Sequence, residues 1–69
     1  MKRIPVASST IATIGYDAKS QTLEVEFQGG SLYQYFDVPQ RVHEALLHAD
    51  SKGNFLNGNI KGVYRYARV

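Results

Sequence analysis

The sequence predicts a small α+β domain, in which an antiparallel β-meander packs one face against a single amphipathic helix. Two observations carry this prediction: three short strand-like segments joined by turn residues in 10–36, and a change to helical periodicity in 37–50. A chain of 69 residues has room for one hydrophobic core. We therefore expect a single domain over 10–69, preceded by a flexible tail over 1–9, where no periodicity is visible.

The strands are predicted from their side chains and from the turns between them. TIATIGY (10–16) is rich in β-branched residues, and TLEVEF (22–27) alternates apolar and polar side chains. SLYQYF (31–36) returns after QGG (28–30), whose glycines suit a tight hairpin turn. These three strands form the meander. A fourth strand is predicted at VYRYAR (63–68), which consists largely of strand-favouring residues.

The predicted helix lies in DVPQRVHEALLHAD, residues 37–50, with Asp37 as its N-terminal cap. Four apolar residues follow the i, i+3, i+4, i+7 spacing of a buried helical stripe: Val42, Ala45, Leu46 and Ala49. The Gly- and Asn-rich segment 51–62 is expected to be a structured loop or a short helical turn, held in place by its apolar side chains.

Composition excludes several classes of function. The chain has no cysteine, which removes disulfides, thiolate metal ligands and a cysteine nucleophile. No apolar run approaches the roughly 18 residues of a membrane span. The basic N-terminus lacks the apolar stretch of a signal peptide. We therefore expect a cytoplasmic protein that does not bind a membrane.

Patterns typical of catalysis or metal binding are not found in the sequence. His43 and His48 are five residues apart, whereas a helical zinc site uses the i, i+4 spacing. Glu24 and Glu26 share a strand face, but so small a domain offers little cleft to dehydrate them. We therefore expect no enzymatic activity, no metal site and no cofactor.

Positive charge is concentrated near the C-terminus. The formal net charge is only +2, but no acidic residue follows Asp50. Four cations do follow it: Lys52, Lys61, Arg65 and Arg68. Such a local excess favours a polyanionic partner, and a solvated face of a short chain is the alternative interpretation.

Tyr33 and Tyr35 are the most informative aromatic residues. Alternation along a strand sends both side chains to the same face. That face is either part of the core beneath the helix or a platform on which bases stack, and a shift of one residue in register exchanges the two. Tyr64 and Tyr66 are expected to share a face of the last strand in the same way, together with Arg68.

Segments spread over roughly residues 8–66 resemble the KTSC domain, a short bacterial module named for the C-terminus of some lysyl-tRNA synthetases. The resemblance rests on IGYD (14–17), LEVEF (23–27), YQYFDVP (33–39) and SKGNFLN…IK…Y (51–64). The most recognisable mark of the family is a central Y-x-Y followed by V-P, here Tyr33, Tyr35, Val38 and Pro39. The resemblance implies a free-standing member, suggests RNA binding through the association with a tRNA-handling enzyme, and implies no catalytic residue.

The sequence therefore predicts a non-enzymatic module that binds nucleic acid, with RNA as the expected partner. The predicted site consists of strand tyrosines and C-terminal cations: Tyr33, Tyr35, Lys52, Lys61, Tyr64, Arg65, Tyr66 and Arg68. The alternative is a regulatory or protein-interaction module that binds a protein partner or forms a homodimer. Its motivation is that one helix would leave the second apolar face of the sheet uncovered.

Overall fold

The computed structural model describes residues 1–69 and contains a five-stranded antiparallel sheet and two helices. The strands are β1 (Arg3–Pro5), β2 (Ile11–Asp17), β3 (Thr22–Phe27), β4 (Leu32–Tyr35) and β5 (Tyr66–Arg68), and they neighbour one another in that order. The helices α1 (Gln40–His48) and α2 (Lys52–Asn59) lie between β4 and β5 in the chain. The predicted α+β class and antiparallel meander are confirmed.

The N-terminal segment differs from the expectation of an irregular tail. Residues Arg3–Pro5 form the edge strand β1, which pairs antiparallel with β2. Gly15 allows this close approach, because a Cβ there would lie 2.7 Å from Cγ of Arg3 and 3.0 Å from the carbonyl oxygen of Lys2. A strand of three residues shows no periodicity, so the sequence did not reveal it. The flexibility expected of residues 1–9 stays a prediction.

The chain forms two helices where the sequence predicted one. The Gly- and Asn-rich segment contains α2, whose N-terminus is capped by Ser51: its hydroxyl accepts a hydrogen bond from the N–H of Asn54. The predicted cap of α1 was wrong, since α1 begins after Pro39. Asp37 has a φ of 58° and turns the chain out of β4, and its carboxylate instead pairs with Arg65. Neither helix is long and apolar enough to cross a bilayer.

The core lies between one face of the sheet and the two helices. Its buried residues come from the strands β2, β3 and β4, the β4–α1 connection, and the two helices with the residue after α2: Ile11, Ile14, Leu23, Val25, Tyr35, Val38, Leu46, Leu56 and Ile60. Within α1, the predicted stripe is rotated, because His43 and Leu47 are partly buried whereas Ala45 is exposed. The rotation brings His43 against Tyr16, with which it stacks.

The register of the sheet decides which face carries the paired tyrosines. Leu23 lies opposite Tyr35, and Val25 lies opposite Tyr33. Residues directly opposite each other in a pair of strands share a face. Because Leu23 and Val25 are fully buried in the core, Tyr33 and Tyr35 lie on the side of the sheet that faces the helices.

The opposite face of the sheet is mainly polar. Glu24 accepts a hydrogen bond from the side-chain amide of Gln34 at 2.8 Å and pairs with Arg3 at 3.6 Å. Glu26 accepts a hydrogen bond from the hydroxyl of Thr13 at 3.1 Å. The uncovered apolar face that motivated a protein-interaction module is therefore not found, because the register gathers most of the large apolar side chains on the core side and leaves Leu32 opposite Glu26 on the polar face. The protein partner itself stays a prediction.

Candidate functional site

A groove lies at the β4–β5 end of the sheet, where all three residues of β5 are exposed. We call it the tyrosine groove, and its volume is about 450 Å³. Its apolar lining is mostly aromatic: Phe27, Tyr33, Tyr35, Tyr66 and one aliphatic residue, Leu56. Its polar lining comes from the β3–β4 turn and from α2 with the segment after it: Ser31, Asn57 and Lys61. The groove thus lies between the end of the sheet and α2 with the segment after it.

The three tyrosines of the groove contact one another. The ring centre of Tyr66 lies 5.7 Å from that of Tyr33 and 6.0 Å from that of Tyr35, and the centres of Tyr33 and Tyr35 are 6.4 Å apart. This cluster follows from the strand pairing, which places Tyr35 opposite Tyr66. Exposure rises across the cluster, from 3% for Tyr35 to 61% for Tyr66. Tyr35 therefore forms the floor of the groove and Tyr66 its exposed wall.

Tyr35 lines the groove although it is 3% exposed. Every buried side-chain oxygen or nitrogen has a hydrogen-bond partner. The hydroxyl of Tyr35 has no partner within the protein, so this hydroxyl is accessible to solvent. Burial raises the pKa of Tyr35 above its ordinary value, and the neighbouring Tyr33 and Tyr66 raise it further. The hydroxyl is therefore protonated at neutral pH and can donate a hydrogen bond to a ligand.

Two cations stand at the tyrosine groove. Lys61 lines it directly. Arg68 lies opposite Tyr33 in the β4–β5 pairing, and its guanidinium donates a hydrogen bond to the hydroxyl of Ser31 at 3.2 Å. No aspartate or glutamate lines the groove. The arrangement combines an aromatic surface with uncompensated positive charge, which suits a ligand that is both aromatic and anionic.

The structure brings together five of the predicted site residues: Tyr33, Tyr35, Lys61, Tyr66 and Arg68. The three others lie elsewhere: Lys52, Tyr64 and Arg65. Lys52 begins α2, at the end of that helix remote from Lys61, and its ammonium donates to the carbonyl oxygen of Ala49 at 3.3 Å.

Tyr64 and Arg65 are separated from the tyrosine groove because β5 begins only at Tyr66. The N–H of Tyr64 donates to the carbonyl oxygen of Ile60, so residue 64 belongs to the turn after α2, and the expected shared strand face is wrong. Arg65 pairs with Asp37 at 3.0 Å, and its guanidinium carbon lies 5.6 Å from the ring centre of Phe36. Arg65 thus belongs to a different surface.

Asn57 and Ser31 are groove residues that the sequence analysis missed as site residues. Asn57 and Lys61 are four residues apart, a spacing that places side chains on the same side of a helix. The expectation of a structured loop or a short helical turn over 51–62 did not extend to a helix of eight residues, so it did not place these two side chains together. Ser51 precedes a segment with apolar residues at Phe55 and Leu56. This pattern is typical of a capped helix N-terminus.

A second feature lies between β2 and α1. The rings of Tyr16 and His43 stack there, with centres 4.5 Å apart and planes 9° apart. The hydroxyl of Tyr16 donates a hydrogen bond to the carbonyl oxygen of Val38. Burial lowers the pKa of His43 below its ordinary value, while the adjacent Glu44 raises it in part. This cluster joins α1 to the sheet.

The lowered pKa of His43 predicts that the protein loses stability as the pH falls from about 6.5 towards the folded-state pKa. The unfolded chain binds a proton at His43 in this range, whereas the folded chain binds it only at lower pH. We expect urea unfolding to show a lower free energy at pH 5.5 than at pH 7.5. His43→Phe should flatten this dependence, and His48→Gln, at an exposed position, should not. An equal dependence in all three proteins would contradict the assignment.

The fold and the groove define a class of protein: a small α+β domain whose meander exposes an aromatic, positively charged groove next to its last strand. The model of the KTSC domain family matches residues 7–69. The chain therefore belongs to the KTSC domain family, as its sequence pattern indicated.

Three relatives show how such domains occur. An uncharacterised protein of Stutzerimonas stutzeri is 49% identical over 70 residues, which cover 100% of this chain and 99% of that protein. A lysine–tRNA ligase of Nostoc punctiforme is 44% identical over 61 residues, which cover 88% of this chain and 11% of the ligase. The crystal structure of a KTSC domain protein from Yersinia pestis is 43% identical, with a TM-score of 0.93 over 99% of this chain and 96% of that one.

Proposed function

We propose that the protein is a non-enzymatic module that binds single-stranded nucleic acid, with RNA as the ligand, through the tyrosine groove. The observation that carries the proposal is the exposed ring of Tyr66 beside Lys61 and Arg68, in a groove without carboxylates. Bases stack on exposed aromatic rings, and lysine or arginine side chains neutralise the adjoining phosphates. Both requirements meet in this one groove.

The tyrosines have different roles in this proposal. Tyr66 supplies the stacking surface, because it is the most exposed of the three. Tyr35 is too deeply buried to stack on a ligand, and it supports Tyr66 from below while its hydroxyl stays available as a donor. Tyr33 holds the cluster together between Phe27 and Tyr66.

The relatives add an association to this physical argument. The Nostoc protein is named a lysine–tRNA ligase, and the substrate in that name is an RNA. A region similar to this chain within such an enzyme supports an RNA ligand, although a shared fold does not by itself carry a shared function.

A proton–nitrogen NMR titration of the labelled protein with a short, mixed-sequence, single-stranded RNA tests the proposal. We expect shifts concentrated on the backbone amides of 33–35, 57–61 and 66–68, and weaker binding at higher salt, since counterions are released from the phosphates. The absence of shifts at millimolar RNA would overturn the proposal.

Removing one groove cation should weaken this binding. We expect Lys61→Gln to raise the dissociation constant and to reduce the slope of log K against log [salt] by about 0.7, the value for one phosphate contact on a single strand. Lys52→Gln is the matched control, because Lys52 lies at the far end of α2, and it should leave both quantities unchanged. If Lys52→Gln weakens binding and Lys61→Gln does not, the RNA lies at the start of α2 instead.

A homodimer is the second candidate, because β1 and β5 are both edge strands of the sheet. Edge strands carry unpaired N–H and C=O groups that a strand from another chain can pair with. Sedimentation equilibrium tests this candidate: a dimer at micromolar concentration supports it, and a monomer up to millimolar concentration excludes it.

A further inference from the structure

We infer that the tyrosine groove takes one base at a time, from an unpaired nucleotide, and not a run of stacked bases. This inference rests on the proposed binding of RNA and deepens it. Three observations carry it: the spacing of the aromatic rings, the number of free faces that they present, and the number of cations beside them.

The rings of the groove are too close together for a base to enter between them. A base inserted between two aromatic planes needs about 7 Å between them, since carbon atoms in contact are about 3.5 Å apart. The three distances between tyrosine ring centres are 5.7 Å, 6.0 Å and 6.4 Å, all shorter than this. The rings already fill the space between one another, so a base can stack only on an outward face.

Only Tyr66 offers such a face. Tyr35 is 3% exposed. Tyr33 is only partly exposed, because Phe27 approaches it edge-on at 5.5 Å while Tyr35 and Tyr66 lie against it. Tyr66 is 61% exposed and stands at the sheet edge. Tyr66 also lines the neighbouring groove with Val63 and Tyr64, and the part of its ring that faces the tyrosine groove provides a platform for one base.

The number of cations at the groove also fits a single nucleotide. Lys61 and Arg68 stand at the groove, whereas Arg65 lies on a different surface beside Asp37 and Lys52 lies at the far end of α2. A nucleotide within a chain is flanked by two phosphates, one on each side. Two cations can neutralise those two phosphates and leave none for a longer track.

The base must also be unpaired. In the interior of a duplex each base is covered on both faces by its neighbours, so no interior base can lie on Tyr66. Loops, bulges and strand ends present bases whose faces are free, and proteins that read RNA through aromatic side chains use such regions. The ligand that fits the groove is therefore a single-stranded RNA element with one accessible base.

A length series of RNA tests the inference with the unaltered protein. The probes are uridine 5′-monophosphate and oligouridylates of two, three, six and nine nucleotides, which do not pair with themselves. The affinity should rise up to the trinucleotide, which brings both phosphates that flank one base. For longer oligomers, the affinity divided by the number of possible binding positions should stay constant. The slope of log K against log [salt] should be about −1.4, twice the value of 0.7 for one contact.

The results separate this inference from the proposed function. Affinity that keeps rising to nine nucleotides, with a slope of about −2.8 or steeper, would mean four or more phosphate contacts and would overturn the one-base site while RNA binding stands. If no probe binds at any salt concentration, and mixed-sequence RNA also fails to bind, both the proposed function and this inference are wrong. A blunt duplex should bind at least ten-fold more weakly than the hexamer, and equal binding would contradict the need for an unpaired base.

Discussion

Replacing Tyr66 by alanine should raise the dissociation constant for single-stranded RNA by about 5- to 150-fold, because the loss of one stacked base costs about 1–3 kcal/mol. The stability of the protein should change little, since Tyr66 is 61% exposed. Isothermal titration calorimetry gives the affinity, and urea unfolding gives the stability. Tyr66→Phe keeps the ring and should bind nearly as well as the original protein.

Val63→Ala is the matched control for this experiment. Val63 is 63% exposed and lies near Tyr66, but it lines a neighbouring groove instead of the tyrosine groove. It should bind RNA with unchanged affinity. If Val63→Ala weakens binding as much as Tyr66→Ala, the RNA lies in that neighbouring groove, and the site assigned to Lys61 and Arg68 is wrong.

Leu46→Ala should unfold a large fraction of the protein. Leu46 is fully buried and is the residue through which α1 enters the core. Truncation of a buried leucine to alanine costs about 2–5 kcal/mol, through lost burial and the cavity that remains. A domain of this size has only about 3–5 kcal/mol of core stability to lose. Circular dichroism and urea unfolding at 25 °C measure the loss.

Leu47→Ala provides the comparison on the same helix. Leu47 is partly buried and lines the shallow groove between β1 and α1. Its truncation should cost about 1 kcal/mol, because less apolar surface returns to water. Equal losses at the two positions would contradict the orientation of α1, in which the buried stripe runs through Leu46.

The structure explains why the Y-x-Y and V-P pattern of the family is chiefly a mark of the fold. Tyr35 and Val38 are both part of the buried core. The carbonyl oxygen of Val38 accepts the hydrogen bond from Tyr16, which ties the β4–α1 connection to β2. Both tyrosines line the groove, but only Tyr33 is partly exposed. The most exposed ring of the groove, Tyr66, lies instead on β5, outside this pattern.

Much of the central meander follows from the sequence alone. The alternation in 22–27 predicts a strand that the structure contains with the same bounds. The helical period in 37–50 predicts α1, although the helix begins later, at Gln40. Local patterns of this kind are readable because each side chain is held by neighbours two, three or four residues away.

Only the tertiary structure decided the tyrosine groove. Tyr66 joins Tyr35, and Tyr64 does not, because the turn after α2 delays β5 until residue 66. Strands of three residues, such as β1 and β5, show no periodicity in sequence and exist through pairing with a longer neighbour. The sequence determined that Tyr33 and Tyr35 share a face. Long-range strand register, set by burying the most apolar surface, decided that this face is the core side and that its uncovered edge forms the groove.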